Sequence, residues 1–342
     1  MNIGIIFGGK SFEHDISIIT ANTIYQILKD KYIIHMLYID QNGFFKYVKK
    51  VDVEKFIDKT EKTPFNFVYE GIKVRGKKQK IDVLINAMHG FNGEDGLASV
   101  IANLYNIPFV GSWHIPSAVL MDKHYSYAIL KENGIPVLDT KILYKNDSIN
   151  LNIDFPIIVK PARLGSSIGI NICENITDLN SLLKNAFDFD NKVVIQPFIK
   201  EFREINQAIY YYNNDYVCSK VEEVFKTDIY LSFDDKYIKE VKDKKKTFLE
   251  DKKIIETINL LSKKIYKLFE LSGVVRIDYM IIGEEIFINE INTTPGSLSF
   301  YMFDDGLSLL KRLIYEALKN HQNKRSKVFL SHILYQKNFT KK

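Results

Sequence analysis

Cysteine is almost absent from this sequence, with two in 342 residues. Cys173 and Cys218 stand far apart and form no CxxC pair, so the sequence predicts neither a disulfide framework nor a zinc site. Apolar runs of membrane-spanning length are also missing. The opening MNIGIIFGG lacks the basic and apolar regions of a signal peptide. We therefore expect a protein of the reducing cytoplasm without a membrane partner.

A large excess of charge is lacking as well. The 47 basic and 42 acidic residues leave a net charge of +5, and the one dense basic run, 242–246, is typical of a solvated loop or helix edge. We therefore expect no nucleic-acid partner. What the sequence does have is 46% apolar and 26% charged residues, the balance of a globular protein. Its length predicts two or three domains, because single cores stop growing near about 250–300 residues.

The most informative stretch is Phe155–Ile170, FPIIVKPARLGSSIGI. Its apolar start predicts a buried strand ending at Lys160, and two glycines then bracket Ser166 and Ser167. A lysine, free backbone amides and two hydroxyls near one point are the chemistry of a polyphosphate site. The stretch therefore predicts a nucleotide cradle.

Two other interpretations of this stretch stay open. GSSIG also fits the G-x-S-x-G nucleophile elbow of hydrolases, with His321 and His332 as candidate bases. An elbow turns directly into a helix, however, whereas Ile168–Cys173 alternates like a second strand. A purely structural glycine-rich hairpin is the third possibility.

The N-terminal region predicts a Rossmann-like unit, because Asn2–Phe7 reads as a buried strand followed by a glycine turn and a helix. Gly4–Ser11 also matches the Walker A pattern. Only three residues precede Gly4, too few for the strand that a P-loop requires, so we favour the Rossmann-like interpretation. Glu13, beside the helix start, either caps the helix or faces a ligand at the sheet edge.

Several further segments are predicted from their patterns. Ile81–Ala87 reads as a strand that ends at a loop with three glycines, which makes His89 a site candidate. Pro116–Glu132 reads as one helix with Lys123 in its middle. Val193–Phe198 is expected to adjoin Glu204–Tyr212 as a strand of a third region.

The C-terminal part predicts a mobile flap, a helix and a hairpin. Residues 225–246 are polar, aromatic and without periodicity, as in a flap, whereas Asp251–Glu270 is an amphipathic helix whose apolar stripe belongs to the core. Two strands then join at Gly283.

Three oxygen-bearing residues stand in the otherwise apolar strands of this hairpin. Asp278, Glu290 and Asn292 carry the hard ligands that Mg²⁺ prefers, and a hairpin can place alternate side chains on one face. A solvated face is the alternative, but a buried carboxylate needs a partner, which favours a metal site. Arg276, two residues before Asp278, is expected on the same face.

Six motifs, taken together and in order, resemble the ATP-grasp superfamily and, within it, the D-alanine–D-alanine ligase family. They are GGKSFEHDIS, HGFNGEDG, MDK, VKPARLGSSIG, RID and NEINTTPGS. The resemblance implies an ATP-grasp fold of α/β and α+β type in three domains. These would be a Rossmann-like N-terminal domain over 1–115, a central lobe over 116–190 and a C-terminal lobe over 191–342, with ATP between the two lobes.

The resemblance also implies a nucleotide site. Lys123 and Lys160 would hold the phosphates of ATP and the Ser166/Ser167 loop would close over them. Gln196 stands where the family usually has a Glu against the adenine, and Glu204 would bind the ribose.

The remaining implied roles concern the metal and the substrates. Asp278, Glu290 and Asn292 would hold two Mg²⁺ or Mn²⁺ ions. Glu13 would anchor the ammonium of the first D-alanine, Arg276 with the Gly296 amide would stabilise the oxyanion, and His89 would line the substrate site. In the flap, Tyr237 would bond toward Glu13 through Ser166.

The sequence departs most from the family pattern at Ser297–Met302, where the family contacts the carboxylate of the second substrate. We expect the Tyr301 hydroxyl to donate this hydrogen bond, so that two D-alanine molecules are still joined. Phe233 replaces a frequent Tyr in the flap. D-serine or D-lactate as the second substrate, a different pair of small amino acids, and a non-catalytic nucleotide sensor are the alternatives. The family implies a homodimer.

Overall fold

The computed structural model describes residues 1–49, 53, 56, 61–148, 153–224 and 247–323. The predicted flap over 225–246, with Phe233 and Tyr237, lies outside these ranges, as does His332. Within them the strands form three sheets of eight, four and five strands.

The N-terminal sheet is parallel at its centre and antiparallel at one side. Its strands are β1 (Asn2–Gly8), β2 (Ile33–Ile39), β3 (Phe45–Val48), β4 (Thr63–Val68), β5 (Gly71–Val74), β6 (Lys77–Lys80), β7 (Val83–Asn86) and β8 (Phe109–Val110). They run in the order β6-β5-β4-β3-β2-β1-β7-β8. Strand β1 pairs in parallel with both β2 and β7, which confirms the predicted Rossmann-like unit. Gly4 lies inside β1, so the Walker A match is not a P-loop.

Among the described residues, the helices that pack on this sheet are α1 (His14–Leu28), α2 (Leu97–Leu104) and a C-terminal helix, Gly306–Asn323. Apolar residues of β1 and α1 share one buried cluster with Leu309, Leu310 and Leu313 of the C-terminal helix. Distant parts of the sequence therefore form one core around β1, the strand that leads into the turn carrying Glu13.

The central sheet has four antiparallel strands, β9 (Lys141–Tyr144), β10 (Ile157–Pro161), β11 (Asn171–Cys173) and β12 (Lys192–Pro197), in the order β11-β10-β12-β9. A helix over Ile176–Phe187 covers it. The expected pairing of Val193–Phe198 with Glu204–Tyr212 is wrong, because β12 pairs with β10 and β9 instead. The domain limits themselves stay a prediction.

The third sheet has five strands, β13 (Arg203–Tyr212), β14 (Asp215–Val224), β15 (Thr247–Phe248), β16 (Val275–Ile282) and β17 (Glu285–Asn292), in the order β15-β14-β13-β16-β17. The helix Lys252–Leu268 packs its apolar stripe on this sheet, with Ile258 and Ile265 fully buried. The stripe is core, as predicted. The hairpin turns at Gly283, whose φ of +60° suits glycine.

The predicted helix over Pro116–Glu132 is two helices, His114–Met121 and Lys123–Glu132. Asp122 between them has extended backbone angles, and its carboxylate accepts from the His124 amide as an N-cap. Its other contact is an ion pair with Lys192 of β12, both side chains being buried. Lys123 is therefore the first residue of the second helix rather than the middle of a long one.

Candidate active site

A cavity of about 840 Å³ lies where the three sheets meet. Its walls include most of the predicted site residues, namely Glu13, His89, Lys123, Ser166, Glu204, Arg276, Asp278, Glu290, Asn292, Gly296 and Tyr301. Residues far apart in sequence therefore meet at one place, as the prediction requires. Lys160, Ser167 and Gln196 are not among the lining residues.

Glu13 is the N-cap residue of α1, but its side chain makes no capping hydrogen bond. The carboxylate instead accepts a hydrogen bond from the Ser166 hydroxyl, which belongs to the glycine loop of the central sheet. Gly90 and Gly165 pack against this carboxylate, and a Cβ on Gly90 would lie 2.7 Å from Glu13 Oε2. Of the two interpretations left open, the geometry favours a carboxylate that faces the cavity.

His89 lies beside Glu13, at the end of the strand β7 and its loop. Its Nε2 bonds to Thr20 Oγ1 at 2.8 Å, and its Nδ1 lies 4.0 Å from Glu94 Oε1. Burial, followed by the nearby charge of Arg276, lowers the pKa of His89 to about 4. The imidazole is therefore neutral at neutral pH. Burial also raises the pKa of Glu94, and the carboxylates of Glu13 and Glu290 add to the effect.

Arg276 and Asp278 form a bidentate ion pair on the cavity wall. Arg276 Nε and Nη2 donate to the two oxygens of Asp278 at 2.6 and 2.8 Å. The Asn292 amide donates to the same carboxylate at 3.0 Å, and the Asn206 amide, with its NH₂ turned toward it, at 3.1 Å. The predicted shared face of Arg276 and Asp278 is confirmed.

Lys123 reaches the hairpin from the helix that Asp122 caps. Its Nζ donates to Glu290 Oε1 at 2.8 Å and to the Leu164 carbonyl of the glycine loop at 2.7 Å. Glu290 stands directly opposite Asp278 in the register of β16 and β17. A cation, two carboxylates and the glycine loop thus meet at the cavity.

The oxygens of Asp278, Glu290 and Asn292 fit a divalent cation by their chemistry and common face. In the part of the chain that the structure describes, no three His, Cys, Asp or Glu side chains are grouped as a ready metal site. Arg276 and Lys123 balance the two carboxylates. Metal binding at these residues is therefore a proposal that rests on the donor set.

The glycine loop has the backbone of a tight turn, with Ser166 and Ser167 at φ values of +53° and +61°. The chain then continues into β11 rather than into a helix, so the nucleophile-elbow interpretation fails. The contact of Ser166 with Glu13 also makes a purely structural hairpin a poor description, because the loop faces the cavity.

Lys160 and Gln196 lie side by side on β10 and β12. Lys160 Nζ donates to Gln196 Oε1 at 3.1 Å, and the Gln196 amide donates to Thr140 Oγ1 at 3.0 Å. Both side chains are buried. The two predicted ATP contacts therefore form one group on the central sheet, next to the cavity rather than on its wall.

Gly296–Met302 forms a short 3₁₀ segment that carries the sharpest backbone feature of the site. Ser297, Leu298 and Ser299 all have left-handed angles, with φ of +46°, +48° and +51°. Beyond them Tyr301 donates its hydroxyl hydrogen to Glu222 Oε2 at 2.6 Å. The expected donation from Tyr301 to a substrate carboxylate stays a prediction.

Comparison with known proteins identifies the chain. The family model described as "D-ala D-ala ligase N-terminus" matches residues 2–112, and the one described as "D-ala D-ala ligase C-terminus" matches residues 129–310. The chain belongs to the D-alanine–D-alanine ligase family.

Relatives of this family align along most of the chain. The D-alanine–D-alanine ligase of Thermosipho melanesiensis is 37% identical over 322 residues, which cover 89% of this chain and 88% of that protein. The crystal structure of the Helicobacter pylori D-alanine–D-alanine ligase is 29% identical, covers 92% and 98% of the two chains and has a TM-score of 0.78. The Bacillus anthracis enzyme complexed with ATP is 25% identical, covers 95% and 99%, and has a TM-score of 0.68. The predicted ATP-grasp fold is confirmed.

Sequence reasoning did not single out Glu94, Asn206 and Glu222, which line the cavity. The strands of Asn206 and Glu222 contain several other polar residues, so the signal that singled out Asp278 is absent there. Glu94 stands in the three-glycine loop beside His89. Tyr237, the remaining predicted catalytic residue, lies outside the described residues.

Proposed function

We propose that this member of the family is an ATP-dependent ligase that joins two D-alanine molecules into D-alanyl-D-alanine for peptidoglycan synthesis. The observation that carries the proposal is that one cavity is lined by two kinds of charged group. Glu13 and Glu94 stand near His89, whereas Lys123 pairs with Glu290 and Arg276 pairs with Asp278. An amino acid whose ammonium meets Glu13 could present its carboxylate to a phosphate held by the cations.

The first half of the reaction forms an acylphosphate. Glu13 holds the ammonium of the first D-alanine, and an oxygen of the D-alanine carboxylate attacks the γ-phosphorus of ATP. A new P–O bond forms as the bond from the γ-phosphorus to the bridging oxygen of ADP breaks, and ADP leaves. Lys123 and the Ser166 loop orient the phosphates, with Lys160, Gln196, Ser167 and Glu204 as the further ATP contacts. Phosphoryl transfer depends mainly on such positioning and charge neutralisation. Asp278, Glu290 and Asn292 would hold two Mg²⁺ or Mn²⁺ ions, which neutralise phosphate charge when bound.

The second half joins the amino acids. The amine nitrogen of the second D-alanine, after loss of a proton, attacks the carbonyl carbon of the acylphosphate and forms the C–N bond. The C–O bond to phosphate then breaks, and phosphate leaves. Negative charge develops on the carbonyl oxygen, and Arg276 with the Gly296 amide would stabilise it. A Cβ on Gly296 would meet no atom within 4 Å, so ligand atoms can approach this backbone closely.

Location and assembly are further parts of the proposal. We expect a cytoplasmic homodimer, as the family implies. In the part of the chain described here, no helix has the length and apolar character to cross a membrane.

The test is phosphate release from ATP and Mg²⁺ with D-alanine, L-alanine, D-serine and D-lactate, offered singly and in pairs, with the product masses read alongside. D-alanine alone should release phosphate and yield its dipeptide. Glu13→Gln is the variant to compare with wild type. It keeps the side-chain shape and removes the charge that anchors the first ammonium, so it should release less phosphate. ATP binding without phosphate release from any pair would instead indicate the nucleotide sensor.

A further inference from the structure

The strand β17 contains a β-bulge at Asn289. Asp278 of β16 pairs with Glu290, but the next residue of β16, Tyr279, pairs with Ile288. Asn289 is therefore an extra residue that has no partner on β16. Because side chains alternate along a strand, one extra residue moves every side chain beyond it to the opposite face of the sheet.

The bulge decides on which face Glu290 lies. Ile288 and Glu290 are two positions apart, so an unbroken strand would direct both side chains to one face. Ile288 is instead buried with Tyr279 in an apolar cluster, whereas Glu290 lines the cavity with Asp278. The extra residue therefore lets one strand contribute first to the core and directly afterwards to the proposed metal site.

A second segment of the chain holds the bulge from outside the sheet. The strand β17 is the last in the order of its sheet, so its outer backbone groups need partners from elsewhere. The Ile288 amide donates to the Pro136 carbonyl at 2.9 Å, and the Tyr127 hydroxyl donates to the Asn289 carbonyl at 2.6 Å. The second bond is made to the peptide group that joins Asn289 to Glu290. Tyr127 therefore fixes the backbone from which the Glu290 carboxylate extends.

Tyr127 stands one turn from Lys123 on the helix Lys123–Glu132. Lys123 donates to the Glu290 carboxylate, so this helix contacts the side chain of Glu290 and the peptide group before it. Tyr127 itself is 5% exposed and does not line the cavity. Burial, followed by the nearby charge of Glu290, raises the pKa of Tyr127, so the hydroxyl stays a protonated donor at neutral pH.

We propose that Tyr127 is a positioning residue for the metal site of the ligase and holds Glu290 opposite Asp278 through the bulged peptide group. The inference rests on the proposed function and deepens it. Without the bond the bulge can relax and change the spacing of the two carboxylates, whereas a divalent cation requires its oxygen ligands at about 2.0–2.6 Å. Support of this kind around a metal ligand typically contributes about 10- to 100-fold in metal affinity.

The experiment measures the Kd for Mn²⁺ by electron paramagnetic resonance, with a saturating non-hydrolysable ATP analogue and without D-alanine. Tyr127→Phe keeps the buried ring and removes only the hydroxyl. We expect the Kd for Mn²⁺ to rise about 10-fold. In turnover assays the Mg²⁺ concentration for half-maximal rate should rise by a similar factor, and excess Mg²⁺ should restore turnover. The KM values for D-alanine should stay near wild type.

Tyr266→Phe is the matched control. Tyr266 is buried in the same apolar cluster as Tyr127, and its hydroxyl donates to the Gly273 carbonyl, before β16 begins, at 2.8 Å. Both variants lose a buried hydrogen bond from a tyrosine to a backbone carbonyl, so both should lose comparable stability in urea. The Kd for Mn²⁺ should change in Tyr127→Phe alone. A loss of stability in Tyr127→Phe with a wild-type Kd would overturn the inference.

The double variant Tyr127→Phe/Glu290→Ala tests whether Tyr127 acts through Glu290. Glu290→Ala alone should weaken Mn²⁺ binding, and the added Tyr127→Phe should weaken it little further, because the residue that it positions is already gone. Losses that multiply independently would overturn the inference. Wild-type protein that binds Mn²⁺ with the nucleotide but joins no pair of amino acids would instead overturn the ligase function, so the two failures are distinguishable.

Discussion

The guanidinium of Arg276 has two tasks in the site. It balances the buried carboxylate of Asp278, and it faces the place where the oxyanion is proposed to form. Lys123 stands in a similar relation to Glu290. These ion pairs hold Arg276 and Lys123 in position before a ligand arrives. A nucleotide with its metal ions would exchange the ion pairs for contacts with phosphate.

Arg276→Ala should leave ATP binding largely intact and lower turnover by roughly 10²-fold or more, as for loss of an oxyanion donor. Steady-state turnover and equilibrium binding of an ATP analogue measure the two effects. Arg203→Ala, which removes an arginine paired with Glu223 away from the cavity, is the control. Near-normal turnover of a folded Arg276→Ala variant would contradict the oxyanion role.

His89 should make the protein sensitive to mild acid. Its pKa is lowered to about 4 in the folded state, so between about pH 6.5 and 4 the unfolded chain binds a proton that the folded chain does not. Stability due to this residue is complete above pH 6.5. As the pH falls below 6.5, the free energy of unfolding should drop by up to about 1.4 kcal/mol per pH unit, until the pH reaches the folded pKa.

Urea unfolding at several pH values, in wild type and in His89→Asn, measures this slope. The variant should lose less stability than wild type between pH 7 and pH 5. An NMR titration in which the His89 signal moves near pH 6.5 would show that the imidazole is not held neutral.

Among the helices and strands, the break at Asp122 decides where Lys123 lies. The Asp122 carboxylate caps the second helix and pairs with Lys192, which also lies 4.2 Å from the ring centre of Tyr125. One buried ion pair therefore attaches the helix that carries Lys123 to the central sheet.

Asp122→Asn should keep the cap and leave Lys192 buried without its counter-charge. We expect a loss of about 3–5 kcal/mol in the free energy of unfolding, together with a higher KM for ATP, because Lys123 loses its support. The double variant Asp122→Asn/Lys192→Met removes both charges and should recover most of the stability. Equal stability of wild type and Asp122→Asn in chemical denaturation would disprove the account.

The sequence predicted those elements whose pattern is local. The strand β1, the helix Lys252–Leu268 and the hairpin around Gly283 follow from an apolar run, helical spacing and a turn residue. The break at Asp122 has a local cause in the aspartate N-cap, but the ion pair with Lys192, 70 residues away, could not be predicted. The partner of Lys192–Pro197 also could not, because an apolar strand pattern is the same in either sheet.

Site prediction shows the same division. The motifs predicted Glu13, Lys123, Arg276 and the hairpin oxygens as site residues, and all of them line one cavity. Their roles stay proposals. The bond from Tyr301 to Glu222 could not be read from the chain, because it joins two residues 79 positions apart on separate elements. Glu222 lies in a strand with several other polar residues, so only the folded structure shows that it is buried.

Across the chain as a whole, the cavity is closed on one side by contacts between the N-terminal region and the central sheet. Glu13 accepts from Ser166, and the rings of Phe12 and Phe189 meet edge to face with their centres 6.0 Å apart. Both rings line the cavity although they are 62% and 40% exposed. They hold the two regions together at the cavity mouth.

Phe12→Ala should raise the KM values for ATP and for the first D-alanine by roughly 3- to 10-fold, the size expected for one aromatic pair. Unfolding free energy should change by under about 0.5 kcal/mol, because the ring is largely exposed. Phe44→Ala, at an equally exposed ring that does not line the cavity, is the control. Unaltered KM values in Phe12→Ala would mean that the ring pair does not help to close the cavity.

The three successive left-handed residues at Ser297–Ser299 limit how this stretch can vary during evolution. Leu298 is fixed twice, because its side chain also belongs to the N-terminal core. Ser299 is fully buried as well, so Ser297 has the most freedom of the three. Even there, β-branched residues are poorly tolerated at positive φ, whereas glycine, asparagine and aspartate accept it. A selected library randomised at position 297 should therefore be enriched in these three residues and depleted of valine, isoleucine and threonine. The loop proposed to receive the second substrate would then diversify through the exposed Tyr301, while the turn that presents it stays nearly constant.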